Sequence, residues 1–233
     1  MTDAGAIATS VRTLLFDLDG TLIDSEGLIL ASYRHTMRRH RGVAPPDSEW
    51  LATLGTPLAI QLRQFAESES EAEAMLATYR EHNERVHDAL IREFPGVRQT
   101  LQWLHANGYR LGIVTSKLGD TVLRGLRACG LPREWFAALV TASDPVASKP
   151  DPAPVRLALR QLGGEPSGRT LFVGDSVWDL RAGRAAGTFT AAALWGPFSR
   201  ETLAAERPDC FLRRMEELPT LLGAPRPVPG RSG

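Results

Sequence analysis

From Pro95 to Ala193 the chain alternates helix-length amphipathic stretches with short apolar runs, and this alternation limits the folds open to it. The helical patterns cover Val97 to Ala106, Asp120 to Ala128, Ala153 to Leu162 and Leu180 to Ala186, while the apolar runs cover Arg110 to Val114, Ala138 to Thr141, Thr170 to Val173 and Thr188 to Ala193. Strands separated by helices of roughly 10 to 15 residues read as βαβ units. Because a parallel pair needs a crossover, the helices end on the two faces of the sheet. The expected class is α/β, a doubly wound parallel sheet, and such sheets bind ligands at the carboxyl ends of their strands.

One further apolar run, ending at Leu14-Leu15-Phe16, lies far upstream and leads directly into Asp17-Leu18-Asp19-Gly20-Thr21. Between it and Pro95 the texture changes. The segment from Ser25 to Phe94 is charged, helix-periodic and free of β-branched runs, which predicts an inserted all-helical domain. Its first helix starts near Ser25 and stops at Gly42 and Pro45-Pro46. Short helices follow over 47–53 and 57–66, and a long one over 69–91. The expected division is a core of residues 11–24 and 95–222, a helical insert of 25–94, and flexible tails at 1–10 and 223–233, the last ten residues having no apolar periodicity.

Polar residues cluster where the apolar runs end. Asp17 and Asp19 follow the first run, Thr115-Ser116-Lys117 follows Leu111 to Val114, and Gly174-Asp175-Ser176 with Asp179 follows Leu171 to Val173; Lys149-Pro150-Asp151-Pro152 opens a helix. Taken singly, these are a turn, a helix N-cap and a surface loop. In this order and context they resemble the four motifs of the haloacid dehalogenase superfamily of phosphohydrolases, over about residues 11–222. The resemblance implies that Asp17 is a nucleophile that forms an aspartyl-phosphate. Asp19, offset by two residues, would protonate the leaving group and then activate water, a role that requires it to be protonated in the substrate complex. An acid at this position argues against the dehalogenase branch.

Two negative charges ~4 Å apart repel by ~4 kcal/mol at an effective dielectric of ~20, so a carboxylate attacking a phosphate needs counter-charge. The resemblance assigns Mg²⁺ to that role, with Asp17, the Asp19 backbone carbonyl and Asp175 as ligands, and Asp179 supporting it from behind or through a water. Lys149 would add a positive point charge to the phosphate and to Asp17. Thr115 would donate its hydroxyl to the transferring phosphoryl group, with backbone N–H groups at Ser116 and in the first loop at Gly20 and Thr21 completing the cradle.

The insert is similar to the C1-type helical cap of phosphoglycolate phosphatases, β-phosphoglucomutases and PpaX-type pyrophosphatases, which closes over the site and excludes water. Details such as Tyr33 to Met37, Gly55 to Leu58 and Tyr79 to Leu90 look like the phosphoglycolate phosphatase and PpaX branch. Leu76, Tyr79, Asn83, Val86 and Leu90 share one side of the long helix, and His87 lies one turn from Asn83. Asn83 and His87 face either the cleft or a helix contact, while Gly55 and Thr56 before Pro57 either present N–H groups to the substrate or simply start a helix. Arg34, Arg38 and Arg41 form a ridge that is either a solvated face paired with acids of the Glu67 to Glu73 run or a guide for anions.

The expected activity is Mg²⁺-dependent hydrolysis of a small phosphorylated metabolite, phosphoglycolate-like, or of inorganic pyrophosphate. The alternatives are a β-phosphoglucomutase-type transferase and a non-catalytic phosphate-binding module. Charges balance, 27 basic against 27 acidic, so no global field recruits nucleic acid or an anionic membrane. Two cysteines in no Cys-x-x-Cys pattern suit a reducing compartment, and no stretch has the ~18 apolar residues of a membrane span. The expected location is cytoplasmic.

Overall fold

The computed structural model describes residues 4–53 and 56–224. Its main sheet has six parallel strands in the order β5-β4-β1-β6-β7-β8: β1 is Thr13–Phe16, β4 Arg110–Val114, β5 Phe136–Val140, β6 Thr170–Gly174, β7 Phe189–Ala193 and β8 Cys210–Leu212. The order steps outward from β1 in both directions, as a doubly wound sheet does. A separate antiparallel ribbon joins β2 (Ile23–Asp24) to β3 (Arg92–Glu93), with Arg92 Nε 3.2 Å from an Asp24 oxygen.

Side chains in a strand alternate between faces, and β1 divides its residues accordingly. Leu14 and Phe16 join a buried cluster with Val97, Leu101 and Leu104 of α6 (Val97–Ala106) and with Val122 and Leu126 of α7 (Gly119–Ala128). Leu15 joins the opposite cluster with Val155 and Ala158 of α8 (Ala153–Gln161) and Ala182 of α9 (Val177–Ala186). Strand β1 is therefore buried on both faces and central in the sheet, which fixes the positions of the residues at its carboxyl end.

Residues 4–10 do not form the flexible tail expected of them. They form α1 (Ala4–Ser10), in which Ile7 is fully buried and its carbonyl accepts the Val11 N–H at 3.0 Å. Ile7 and Val11 are four residues apart, so one helical turn sends both into the core, next to α11 (Glu217–Leu221). The sequence reading also left out α10 (Arg200–Ala205) and β8, whose three residues are too few to show a period. Of the predicted C-terminal tail, 223–233, Gly223 and Ala224 donate their N–H groups to the Thr220 and Pro219 carbonyls, and residues 225–233 lie outside the described residues.

The insert between β2 and β3 contains α2 (Glu26–Arg41), α3 (Asp47–Leu51), α4 (Leu58–Arg63) and α5 (Glu69–Leu90). Gly42 ends α2 in the left-handed region at φ 75°, donating its N–H to the Arg38 carbonyl. The insert has its own core of Tyr33, Met37, Trp50, Leu62, Met75 and Tyr79, with Tyr33 and Trp50 stacked at 4.7 Å. Of the arginine ridge, Arg41 pairs with Glu67 and Glu71 as expected, but Arg34 pairs with Asp47. Helix α5 is rotated relative to the expected stripe. Ala72, Met75, Tyr79 and His87 are its buried residues, and Leu90 is exposed.

Candidate active site

Four chain segments meet at the carboxyl end of β1 because β4 and β6 flank it. Asp17 extends β1, Thr115 follows β4, and Asp175 follows β6, while Lys149 comes from the loop before α8. The Lys149 ammonium donates to Asp17 Oδ1 at 2.9 Å, to Asp179 Oδ1 at 2.6 Å and to the Val114 carbonyl at 3.3 Å. All three donor directions of an ammonium are thereby used, in a site where Lys149, Asp17 and Asp179 are buried.

Oxygens of Asp17, Asp175 and Asp179 lie within 4.8 Å of one another, so three buried carboxylates face one buried ammonium. That imbalance shows in the acids. Burial, with Asp179 and Asp19 adding to it against the pull of Lys149, pushes Asp17 up to about 7. Burial and the charges of Asp17 and Asp179 raise Asp175 well above the carboxylate range. Burial opposes the Lys149 ammonium, but the two aspartates outweigh it and raise its pKa. A hard divalent cation fits this charge deficit and this oxygen-only donor set. Asp17 Oδ2 and Asp175 Oδ2 have no donor among the described residues, so these are the atoms that could ligate it.

Asp179, expected among the metal residues, is engaged on both oxygens. Oδ1 receives Lys149, and Oδ2 accepts the Ser176 N–H at 3.1 Å and the Ser176 hydroxyl at 2.6 Å in a capping box that starts α9. Its place is behind Lys149, which it holds against Asp17. The Asp19 carboxylate is outside the acidic trio and points the other way, accepting from Lys117 Nζ at 2.8 Å and from Ser25 Oγ at 2.6 Å.

The first-loop expectations need correction. The Gly20 N–H donates to the Ile23 carbonyl and the Thr21 N–H to the Leu18 carbonyl, so both are spent on the turn. The Thr21 side chain is fully buried and donates to Asp175 Oδ1 at 2.8 Å. Gly20 is required by space as well as by its φ of 79°, since a Cβ there would lie 2.7 Å from Asp175 Cγ. Gly20 and Thr21 therefore shape the Asp175 site, with their N–H groups unavailable to a phosphoryl group. Thr115 is at the site, its hydroxyl oxygen accepting the Lys117 N–H at 3.3 Å, and Ser116 lines the same cleft.

A cavity of about 810 Å³ opens between the insert and the core, with Asp17, Asp19, Lys149 and Asp175 at its base. Thr56, Asn83 and His87 line it from the insert, as expected of them, but all three also have partners within the insert. Thr56 donates to the Thr53 carbonyl at 2.8 Å and Asn83 donates to Ser32 Oγ at 3.2 Å. Gly55 lies outside the described residues. His87 is buried, its Nδ1 is 2.7 Å from Asp88 and its Nε2 has no partner among the described residues. Burial, with Lys117 and Arg124 nearby, lowers its pKa from the ordinary imidazole value.

Several lining residues escaped the sequence reading. Lys117 was legible within Thr115-Ser116-Lys117 but its partner Asp19 was not. Ser25 stands in the sequence as a helix start and, with Asp24, as a hinge of the insert, not as a partner of Asp19. Tyr79 and Arg80 fall in the Tyr79 to Leu90 stretch, whereas Gln61 from the insert and Trp195 from the loop after β7 have no motif to mark them. Among the described residues, no helix is long and apolar enough to cross a membrane.

A family model described as haloacid dehalogenase-like hydrolase matches residues 14–193. A Bacillus velezensis protein named pyrophosphatase PpaX is 42% identical over 214 residues, 91% of this chain and 97% of that one. The protein of the same name from Bacillus pumilus is 39% identical, over 93% of this chain and 98% of that one. Among solved structures, a Bacteroides fragilis protein described as a haloacid dehalogenase-like hydrolase superposes with a TM-score of 0.83 at 27% identity, covering 89% of this chain and 99% of that chain.

Proposed function

Because the chain belongs to the haloacid dehalogenase-like hydrolase family, we propose that it hydrolyses inorganic pyrophosphate, or a small phosphate monoester of similar size, through an aspartyl-phosphate at Asp17. The observation that carries the reading is the buried ammonium of Lys149 between Asp17 and Asp179, at the base of a cavity open to an anion. The pyrophosphate half rests on the relatives named pyrophosphatase PpaX, which run nearly the whole length of the chain.

Lys149 grips Asp17 Oδ1 and so holds in one orientation the carboxylate that attacks phosphorus. Asp17 and Asp175 would hold Mg²⁺, which when bound neutralises charge on the phosphoryl oxygens and the nucleophile. The Thr115 hydroxyl donates to a phosphoryl oxygen. Asp19 stands on the leaving-group side, tied to Ser25 at the start of the insert. There it protonates the departing oxygen and takes a proton from the water that cleaves the aspartyl-phosphate. Lys117, 2.8 Å from Asp19, adds positive charge where the leaving phosphate accumulates negative charge. The insert acts as a lid that excludes bulk water and limits substrate size, with Thr56, Asn83 and His87 facing the cleft.

The test is phosphate release from pyrophosphate, 2-phosphoglycolate, sugar phosphates and nucleotides with Mg²⁺, run beside Asp17→Asn and an EDTA control. Release from pyrophosphate that depends on Asp17 supports the proposal. Release from sugar phosphates alone would replace the substrate, and silence across the panel would overturn the hydrolase reading.

A further inference from the structure

The segment Trp195-Gly196, in the loop after β7, belongs to none of the four motifs, yet it closes one wall around Asp175. A Cβ on Gly196 would lie 2.7 Å from Asp175 Oδ2 and 2.8 Å from Cγ, closer than real Cβ contacts come. The φ of Gly196 is not positive, so the obstacle to an L side chain there is the Asp175 side chain, whose Cβ would be the nearest atom, followed by the carboxylate. Gly20 approaches the same side chain, so Asp175 lies against two residues that lack a Cβ. Next to Gly196, the Trp195 indole donates Nε1–H to the Thr21 carbonyl at 3.0 Å, and Thr21 Oγ1 donates to Asp175 Oδ1 at 2.8 Å. The loop after β7 is thus tied to the loop after β1, and the two grip the same carboxylate.

We infer that Trp195 and Gly196 are positioning residues for Asp175: they fix the rotamer that aims Oδ2 at the cation and so set the affinity of the site for Mg²⁺. The inference rests on the proposed metal role of Asp175. Gly196 acts by allowing close approach, and Trp195 acts by holding Thr21 in place. Both line the cleft, but the contacts that tie them to the catalytic end of the sheet are with Thr21 and Asp175, so the loop acts through the metal site.

The experiment is calorimetric titration of MgCl₂ into the metal-free full-length protein, comparing wild type with Gly196→Ala and Trp195→Phe. Loss of a group that orients a metal ligand typically weakens binding by roughly 10- to 100-fold, and that range is expected for Gly196→Ala, with a smaller loss for Trp195→Phe. At saturating Mg²⁺ the KM for substrate should return to the wild-type value, a split that general loosening of the fold would not produce. Circular dichroism in EDTA checks that each variant folds, and if Gly196→Ala does not, Trp195→Phe decides alone. Wild-type Mg²⁺ affinity in the folded variants would overturn the inference. A wild type that binds no Mg²⁺ would instead overturn the metal reading beneath it.

Discussion

Replacing the nucleophile should stabilise the metal-free protein while abolishing turnover. Asp17 is pushed from an ordinary 3.8 up to about 7, chiefly by burial, so the folded protein holds a proton there that the unfolded chain has released. The folded-state value is the higher one. Stability therefore falls as pH rises from about 4 to about 7, and the ionised carboxylate is a net liability above that window. The change from 3.8 to about 7 corresponds to about 4 kcal/mol. Asn has nearly the shape of the protonated acid, its amide oxygen can still accept from Lys149, and Lys149 keeps Asp179 at 2.6 Å. At pH 7.5 in EDTA, Asp17→Asn should melt about 10 °C above wild type, from roughly 2–4 °C per kcal/mol for a chain of this size. The two proteins should converge as pH approaches 4, where wild-type Asp17 is protonated too. Thermal melts across this pH range, in EDTA and again with Mg²⁺, read out the effect, and Mg²⁺ should narrow the gap by stabilising wild type more. A variant that melts at or below wild type at pH 7.5 in EDTA would refute the reasoning.

Other outcomes follow from the same site. Lys149→Met leaves three buried carboxylates with no cation, and urea unfolding in EDTA at neutral pH should show a loss of about 3–5 kcal/mol; unchanged stability would mean the acids are better hydrated than their burial indicates. Because Asp17 and Asp175 both have raised pKa values, Mg²⁺ binding near pH 7 should release protons and strengthen as pH rises towards and past about 7. Titrations in buffers of different ionisation enthalpy measure the release, and none would count against the acidic pair as ligands. Asp19→Asn should slow aryl phosphates with poor leaving groups more steeply than those with good ones, and uniform slowing would remove its acid role.

The strand-end chemistry was legible because it is local. Leu14 to Phe16 are apolar on both faces, as a central parallel strand must be, and the acids follow at once, so Asp17 and Asp19 could be assigned to the mouth of the sheet without coordinates. Periodicity likewise marked the helices of the insert. What was illegible depends on contacts between distant segments. Lys117 and Asp19 are 98 residues apart in sequence, Thr21 and Asp175 are 154 apart, and neither pair leaves a local pattern. Gly20 and Thr21 were read as phosphate contacts because a turn after a strand offers N–H groups, but this turn uses them itself. The face of α5 was misjudged for a related reason. Its residues serve both the insert's own core and the cleft, and a single apolar stripe cannot describe two partners.

The position of β1 also matters for synthesis on the ribosome. Its sheet neighbours are β4 and β6, so the first strand emerges long before either partner exists. At ~5–20 residues per second, the residues between Phe16 and Arg110, where the first partner strand begins, take about 5–19 s to make. For that interval an apolar strand ending in two acids has no sheet to join, while the helical insert, complete by residue 90, can already settle around Tyr33 and Trp50. The order of emergence sets a task for the nascent chain: the insert can form first and shield the strand next to it until the downstream half arrives to complete the catalytic end of the sheet.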